Sequence, residues 1–519
     1  MAASNLFSAA ECADGVAAAL GLSDRDSRSI DVCWQALTVY QGHDTYIVPF
    51  HEAGGFMGGV TNQVSREAGR AVQMVMDYCG SWDSQPIEQR SGKDLAEAEH
   101  KAQELIRLRL QQFLGRGSGD HQYVVYSFGP AHRRLVRFEG AAGESLLLDD
   151  RPIQTQPDGD DLLALLTLPA YGCVVLDRTQ PAAVKPDAPL VQVGDSFLEN
   201  DLLRVEFDLT HGTVKGLIRK TDGRNLLAGD GHTFYLPESQ CQKTRDVRIS
   251  ASGPLRGALE FEIELVTERG DTCRIRTHVS LDAHQPLVCF EEHILQCPEL
   301  HDDQWTNHLG VRFGMAWQRP KLKRSYFNVL EDTEAQHLSS VNLLVAQGPD
   351  AEMLFVNHGN QFYVCRDNEI RNILIYENEP CRRFCYAVGC CEDNPVMQAR
   401  SWVQPCFIQK ATGAPEGGSP NRILSSKMSF FSINPPDVEL LSCRYVDGRF
   451  LLRLANTTDQ ALDTTVESYC PLGQAFLTDL LGRQLEALRV SDRTVHIRLQ
   501  PCDVRQLALL PAPHKSKST

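Results

Sequence analysis

The sequence lacks any hydrophobic run long enough to cross a membrane. No apolar stretch in its 519 residues approaches the roughly 20 residues that a spanning helix needs. The first basic residue is Arg25, and Glu11 and Asp14 interrupt the N-terminal apolar stretch, a pattern that argues against a secretory signal. We therefore expect a protein without a membrane partner.

Paired cysteine motifs are absent as well. The 17 cysteines are odd in number and scattered, and no two of them form a C-x-x-C pair, so zinc ribbons and thioredoxin-like motifs are unsupported. Cys381, Cys385, Cys390 and Cys391 cluster in a strand-like segment, where buried reduced thiols are expected rather than metal ligands. Together these features predict a reducing, cytoplasmic location.

Basic residues are in the minority. The sequence has 51 Lys and Arg against 67 Asp and Glu, for a formal net charge of −16 at pH 7. Surplus negative charge repels phosphate backbones and anionic lipid headgroups. We expect no nucleic-acid partner, whereas a neutral ligand such as a sugar suits this charge.

The N-terminal part of the chain carries helical patterns. Residues 5–20 are rich in alanine and predict an amphipathic helix, and Asp24 or Ser27 can cap a second one. Further helices are predicted over residues 60–78 and 94–114. Beyond them, a glycine-rich break predicts a domain boundary.

From His121 onward short β-branched and aromatic runs alternate with turns, which predicts strands. The predicted fold is multidomain, with an N-terminal α-helical bundle followed by all-β domains that include a large antiparallel β-sandwich. A proline-rich stretch over residues 181–189 predicts a linker. The predicted limits are 1–114 for the helical domain, 121–180 for a small β-domain, 190–425 for the large sandwich, 426–511 for a C-terminal β module and 512–519 for a disordered tail.

One stretch, Tyr40–Phe50, places an imidazole and a carboxylate side by side. It reads Tyr-Gln-Gly-His-Asp-Thr-Tyr-Ile-Val-Pro-Phe, with Gly42 suited to ending a helix and the β-branched and aromatic run after Asp44 suited to an extended exit. A lone His-Asp dipeptide is more often a capping or core pair than a metal site.

This stretch resembles the QHHD-type segment of glycoside hydrolase family 38, the zinc-dependent retaining α-mannosidases. The resemblance implies that His43 binds a catalytic Zn²⁺ and that Asp44 contacts the bound mannoside. Gly42 departs from the family, which has a histidine there. Leu198–Leu227, with its Glu-Asn opening and Lys-Thr-x-Gly turn, is similar to the start of the family's large β-sandwich. The resemblance extends over essentially the whole chain.

The family's catalytic barrel has no counterpart in the pattern of this chain. A retaining glycosidase needs two carboxylates about 5 Å apart, and in family 38 both lie in an N-terminal barrel. Here the alternating strand–helix pattern of a barrel is missing. Asp302 and Asp303, beside His301, are better explained as a solvated acidic loop.

Three interpretations follow from the resemblance. In the first, the chain is the helical and β-sandwich portion of an α-mannosidase whose catalytic barrel lies on another chain or is missing from a truncated gene prediction. Alternatively, it is a non-catalytic carbohydrate-binding or assembly module derived from such an enzyme. A third interpretation, an independent enzyme using its own residues, has no supporting constellation.

Overall fold

Helices form the N-terminal part of the protein and antiparallel strands form most of the remainder. This computed structural model describes residues 2–40, 87–114, 121–179, 189–300, 303–326, 329–376, 381–411 and 426–512. The described helices are α1 (Ala2–Ala19), α2 (Ser27–Tyr40), α3 (Ile87–Leu114) and α4 (Pro395–Val403). No helix in these ranges combines the length and the apolarity needed to span a bilayer.

Helix α1 is buried on all sides, so the prediction of an amphipathic helix is wrong. Residues 5–17 are all buried, and α1 packs against α2, α3 and a strand from the C-terminal part of the chain. Its many alanines allow this close approach. A helix that is buried all round is typical of the interior of a large protein.

The second helix begins with a cap that the sequence did not single out. The Asp26 carboxylate accepts a 3.0 Å hydrogen bond from the Ser29 N–H, which satisfies one of the free donors of the first turn. Asp26 therefore takes the role predicted for Asp24 or Ser27. The predicted helix over residues 60–78 lies outside the described residues, so the N-terminal bundle stays a prediction.

After α3 the chain forms a six-stranded sheet and a three-stranded sheet. The six-stranded sheet contains β1 (Gln122–Ser127), β3 (Ser145–Leu148), β4 (Arg151–Pro152), β7 (Gly172–Thr179), β27 (Cys406–Lys410) and β28 (Lys427–Ser429). The three-stranded sheet contains β2 (His132–Phe138), β5 (Thr155–Asp158) and β6 (Asp161–Leu168). The two sheets share a small core.

Two large antiparallel sheets enclose a second, larger core. The ten-stranded sheet contains β8 (Gln192–Val193), β9 (Phe197–Glu199), β10 (Leu203–Asp208), β11 (Thr213–Arg219), β12 (Arg224–Asn225), β13 (Leu227–Tyr235), β18 (His308–Met315), β21 (His337–Ser339), β24 (Phe362–Arg366) and β25 (Glu369–Tyr376). The nine-stranded sheet contains β14 (Ser239–Ser252), β15 (Arg256–Thr267), β16 (Thr272–Asp282), β17 (Leu287–Gln296), β19 (Lys321–Tyr326), β20 (Val329–Thr333), β22 (Leu343–Gln347), β23 (Glu352–Asn357) and β26 (Arg383–Cys390).

Two further sheets form the C-terminal module. The four-stranded sheet contains β29 (Phe431–Asn434), β32 (Leu462–Ser468), β35 (Val490–Ser491) and β36 (Thr494–Leu499). The five-stranded sheet contains β30 (Val438–Val446), β31 (Arg449–Asn456), β33 (Leu472–Thr478), β34 (Gln484–Leu488) and β37 (Val504–Pro511). Their core is continuous with that of the helices and the six-stranded sheet.

The chain returns to the six-stranded sheet after completing the large sheets. Strand β27 pairs with β1 on the edge opposite β7, although it lies within the segment predicted as sandwich. The prediction of β-rich antiparallel domains is confirmed, whereas the individual domain limits stay predictions.

Candidate functional site

The two residues predicted to act on zinc and sugar, His43 and Asp44, lie outside the described residues. The structure describes α2 as far as Tyr40. The metal-binding role of His43 and the sugar-contacting role of Asp44 therefore stay predictions. Across the ranges that are described, no three His, Cys, Asp or Glu side chains come together as a metal site.

The acids of helix α1 contact residues from distant parts of the chain. Glu11 lies 2.7 Å from Arg444 Nε and 3.6 Å from Arg25 Nη2, with only 2% of its side chain exposed. Burial outweighs these two cations and raises the pKa of Glu11 to about 7. Because Arg444 belongs to β30, this contact joins the first helix to the C-terminal module.

A second buried acid links helices α1, α2 and α3. Asp14 Oδ1 accepts hydrogen bonds from Arg109 Nε at 2.9 Å and Nη2 at 2.7 Å, and its Oδ2 accepts one from the Asp26 N–H at 3.1 Å. Arg109 lies on α3, and Asp26 caps α2. Both carboxylate oxygens of Asp14 therefore accept hydrogen bonds, and these bonds join α1 to α3 and to the start of α2.

The motif at residues 198–227 also has a structural role. Asn200 donates hydrogen bonds to the carbonyl oxygens of Asp282 at 2.7 Å and Gln285 at 2.8 Å, so it ties the ten-stranded sheet to the nine-stranded sheet. Lys220 Nζ lies 2.5 Å from Glu199 Oε1 and 3.0 Å from the Asn200 carbonyl oxygen. The Glu-Asn and Lys-Thr-x-Gly elements thus contact each other, which explains their spacing.

Asp303 is a turn residue. Its carboxylate accepts hydrogen bonds from the Trp305 N–H at 3.2 Å and the Thr306 hydroxyl at 3.2 Å, and its carbonyl oxygen accepts one from the Asn307 N–H. These local bonds agree with the interpretation as a solvated loop. His301 and Asp302 lie outside the described residues.

One concave surface of the described chain is a groove lined by the outer face of the nine-stranded sheet and by residues of β24 and β25. It consists of a cavity of about 770 Å³ and a second of about 180 Å³, which share Glu291 and His358. Side chains alternate between the two faces of a strand; along β17, Cys289, Glu291 and His293 therefore face outward, while the residues between them enter the core. We call this surface the sheet groove.

Ion pairs organise the floor of the sheet groove. Arg256 Nε and Nη2 lie 2.6 and 2.8 Å from the Asp282 carboxylate. Arg276 Nε lies 3.9 Å from Glu260 Oε1. These pairs fix charged donors and acceptors on neighbouring strands.

Aromatic side chains form the walls of the sheet groove. Trp402 of α4 lies with its ring centroid 4.6 Å from that of His358. Phe362 and Tyr376, both half-buried, meet edge to face at 6.1 Å. Sequence reasoning missed this site, because its residues come from strands far apart in the chain.

A buried polar network lies beneath the sheet groove. Glu292 accepts hydrogen bonds from Tyr386 Oη at 2.9 Å and Thr277 Oγ1 at 2.6 Å, and its Oε1 lies 2.9 Å from His232 Nε2. His232 stacks on Phe290 with ring centroids 4.6 Å apart. Burial, followed by the Glu292 charge, raises the pKa of Tyr386. Glu292 is thus satisfied by neighbouring side chains, an arrangement typical of a structural carboxylate.

The clustered cysteines are free thiols of differing exposure. Cys390 is buried, Cys385 and Cys391 are half-buried, and Cys381 is exposed. Burial raises the pKa of Cys391 to about 12. The sequence expectation of buried thiols therefore holds fully for Cys390 and fails for Cys381.

The arrangement of sheets is that of glycoside hydrolase family 38 structures. The sequence matches no protein-family model and no curated protein, so this likeness rests on three-dimensional comparison. An α-mannosidase from Enterococcus faecalis V583 superposes with a TM-score of 0.71 at 11% sequence identity over 98% of this chain. A glycosyl hydrolase family 38 protein from Enterococcus faecalis gives a TM-score of 0.69 at 12% identity, also over 98%.

The present chain is shorter than both of these proteins. It spans 66% of the first chain, just under two thirds, and 68% of the second. At such low sequence identity, the structural likeness establishes only the fold of this chain.

Proposed function

We propose that this chain is the helical and β-sandwich portion of an α-mannosidase-like glycoside hydrolase. It hydrolyses terminal α-D-mannosides when completed by a catalytic barrel from another chain or from sequence outside these residues. The observation that carries the proposal is the superposition of 98% of this chain on an α-mannosidase of which it spans 66%.

The proposal assigns one zinc ligand, His43, to this chain. A catalytic zinc site typically has three protein ligands. In the family that this chain resembles, the barrel supplies a His-x-Asp pair to the zinc, and we propose the same source for the remaining ligands. His43 contributes one imidazole nitrogen and Asp44 contacts the sugar; when bound, the metal supplies electrostatic stabilisation of the bound mannoside.

The decisive experiment is complementation. The purified chain with zinc should not hydrolyse an aryl α-mannoside above a buffer blank, because the nucleophile and acid/base carboxylates supply most of a glycosidase's rate enhancement. Co-expression with a barrel-bearing chain encoded next to it should restore turnover. Robust turnover by the repurified chain alone would contradict the proposal.

Matched variants locate the contribution of this chain within the complemented enzyme. His43→Ala should abolish both turnover and zinc retention, measured by elemental analysis after dialysis. Lys243→Ala, at an exposed position of β14, should change neither. Equal activity of the two variants would remove His43 from the proposed site.

A non-catalytic carbohydrate-binding module is the second candidate, and the sheet groove favours it. The two candidates differ in what surrounds the gene. A neighbouring reading frame that encodes a barrel with a His-x-Asp pair and two further aspartates supports the enzyme. If no such frame exists, the binding module remains.

A further inference from the structure

We infer that the sheet groove binds a neutral, hydroxyl-rich glycan chain. The two cavities have volumes of about 770 and 180 Å³. Together they fall in the range of volumes that small-molecule binding clefts have. The inference rests on the proposed function only for the choice of an α-mannoside as the first probe.

The charge balance of the groove favours a neutral ligand. The larger cavity is lined by two arginines, Arg276 and Arg383, and by three glutamates, Glu260, Glu291 and Glu292. With Arg134, Arg256 and Asp282 of the smaller cavity, and with Glu292 beneath the floor, the groove has four arginines against four carboxylates. Positive charge is therefore matched, and Arg276 is already close to Glu260. A phosphate or nucleic-acid site needs surplus positive charge, and this groove has none.

The polar groups of the floor suit hydroxyl groups. Glu291 is 60% exposed and has His278 Nδ1 at 3.9 Å, so its carboxylate can accept hydrogen bonds from a ligand. Arg383 and His293 line the same cavity outside the ion pairs described above. A sugar hydroxyl both donates and accepts, and it can therefore bridge such a carboxylate and such a cation.

The walls suit the carbon–hydrogen face of a sugar ring. Phe362 and Tyr376 are half-buried and line the larger cavity, and half-buried Trp402 lines the smaller one. Aromatic rings offer flat apolar area at low conformational cost. Because the two cavities share Glu291 and His358, a ligand of more than one sugar unit can extend along both.

The test measures binding to the full chain by ligand-observed NMR and calorimetry. The probes are an α-linked mannotriose, maltotriose and, as an anionic probe, mannose 6-phosphate. A neutral trisaccharide should bind with a Kd of about 1 mM or tighter. Absence of binding by both trisaccharides at about 10 mM would overturn the inference. So would binding of mannose 6-phosphate alone, because it would reveal an anion site.

Variants then place the ligand. The double variant Glu291→Gln with Arg383→Ala should weaken trisaccharide binding at least tenfold without altering circular dichroism. The matched control Arg245→Ala removes an arginine of the same sheet that is 66% exposed, pairs with Glu264 at 2.8 Å and does not line the groove. It should leave binding unchanged. Equal affinity of the double variant and the control would overturn the inference.

One further variant separates this inference from the proposed function. His43→Ala should leave trisaccharide binding in the sheet groove intact while it removes turnover of the complemented enzyme. Loss of trisaccharide binding in His43→Ala would place the ligand at the predicted mannoside site and overturn the groove assignment. If the chain without substitutions, complemented by the barrel, shows no turnover while groove binding is preserved, the result counts against the proposed function only.

Discussion

Glu11 is a residue whose charge should cost the folded protein stability at neutral pH. Burial raises its pKa from 4.5 to about 7, so between these values the folded state holds a proton that the unfolded state has lost. The stability linked to this proton is complete below pH 4.5 and is lost as the pH rises through about 7. Glu11→Gln should remove this dependence.

We expect the difference in unfolding free energy, Glu11→Gln minus unaltered protein, to rise by roughly 1–3 kcal/mol between pH 5 and pH 8. Urea unfolding at the two pH values measures it. A difference that stays constant with pH would show that Arg25 and Arg444 keep Glu11 ionised throughout.

Asp14 offers a prediction of the opposite kind, because its partner is a buried cation. Asp14→Asn would leave the Arg109 guanidinium, 6% exposed, without a charged partner, and this should cost about 3 kcal/mol or more in unfolding free energy. The control Asp31→Asn alters a 55% exposed carboxylate, 3.5 Å from Arg444, and should change stability by less than about 1 kcal/mol. Similar losses in the two variants would contradict the buried pairing.

At the scale of residues, these acids also show which contacts could not be predicted from the sequence. In the sequence, Glu11 and Asp14 serve only as an argument against a secretory signal, which stays a prediction, whereas in the structure both acids are buried. Their partners Arg109 and Arg444 are far away in the chain, and no local pattern announces such pairing. The cap of α2 was likewise misplaced, by one to two residues, because Asp24, Asp26 and Ser27 are all acceptable caps.

At the scale of elements, the close contact between α1 and β30 depends on Gly15, which has no side chain. A Cβ added at Gly15 would lie 2.9 Å from Tyr445 Cβ and 3.4 Å from its N. Gly15→Ala should gain about 1 kcal/mol of helix propensity but lose more through this overlap. We expect a net destabilisation of roughly 1–2 kcal/mol, measured by chemical unfolding.

The matched control is Gly473→Ala on β33. An added Cβ there finds its nearest neighbour at 3.5 Å, an ordinary contact, and stability should change by less than about 0.5 kcal/mol. If Gly15→Ala proved as stable as the unaltered protein, α1 and β30 would be farther apart than described.

Elements with a strong local pattern were predictable. The end of α3 at Leu114 and the β10–β11 hairpin within Leu198–Leu227 both follow from periodicity and turn residues. The pairing of β27 with β1 was not predictable, because residues 406–410 lie more than 200 positions from their partners. The sheet groove was missed for the same reason, since it forms only when β15, β16, β17 and β26 align.

At the scale of the whole molecule, the hydrophobic residues fall into two large cores. One joins the helices, the six-stranded sheet and the C-terminal module, and the other lies between the ten- and nine-stranded sheets. Proteins with separate cores commonly unfold in more than one step. We expect two calorimetric transitions, with Gly15→Ala lowering the midpoint of only one. A single transition, or an equal shift of both, would contradict this division.

Because α1 packs against β30, the burial of α1 cannot be complete until β30 has been synthesised. The partner strand β30 (Val438–Val446) follows α1 by more than 400 residues along the chain. At about 5–20 residues per second, roughly 20 to 90 s separate the appearance of Ala10 from that of Leu440. During this interval a helix that will be covered on every side lacks its final partner. A ribosome that stalls before β30 would therefore release a chain with an uncovered first helix, a form that chaperones and proteases recognise.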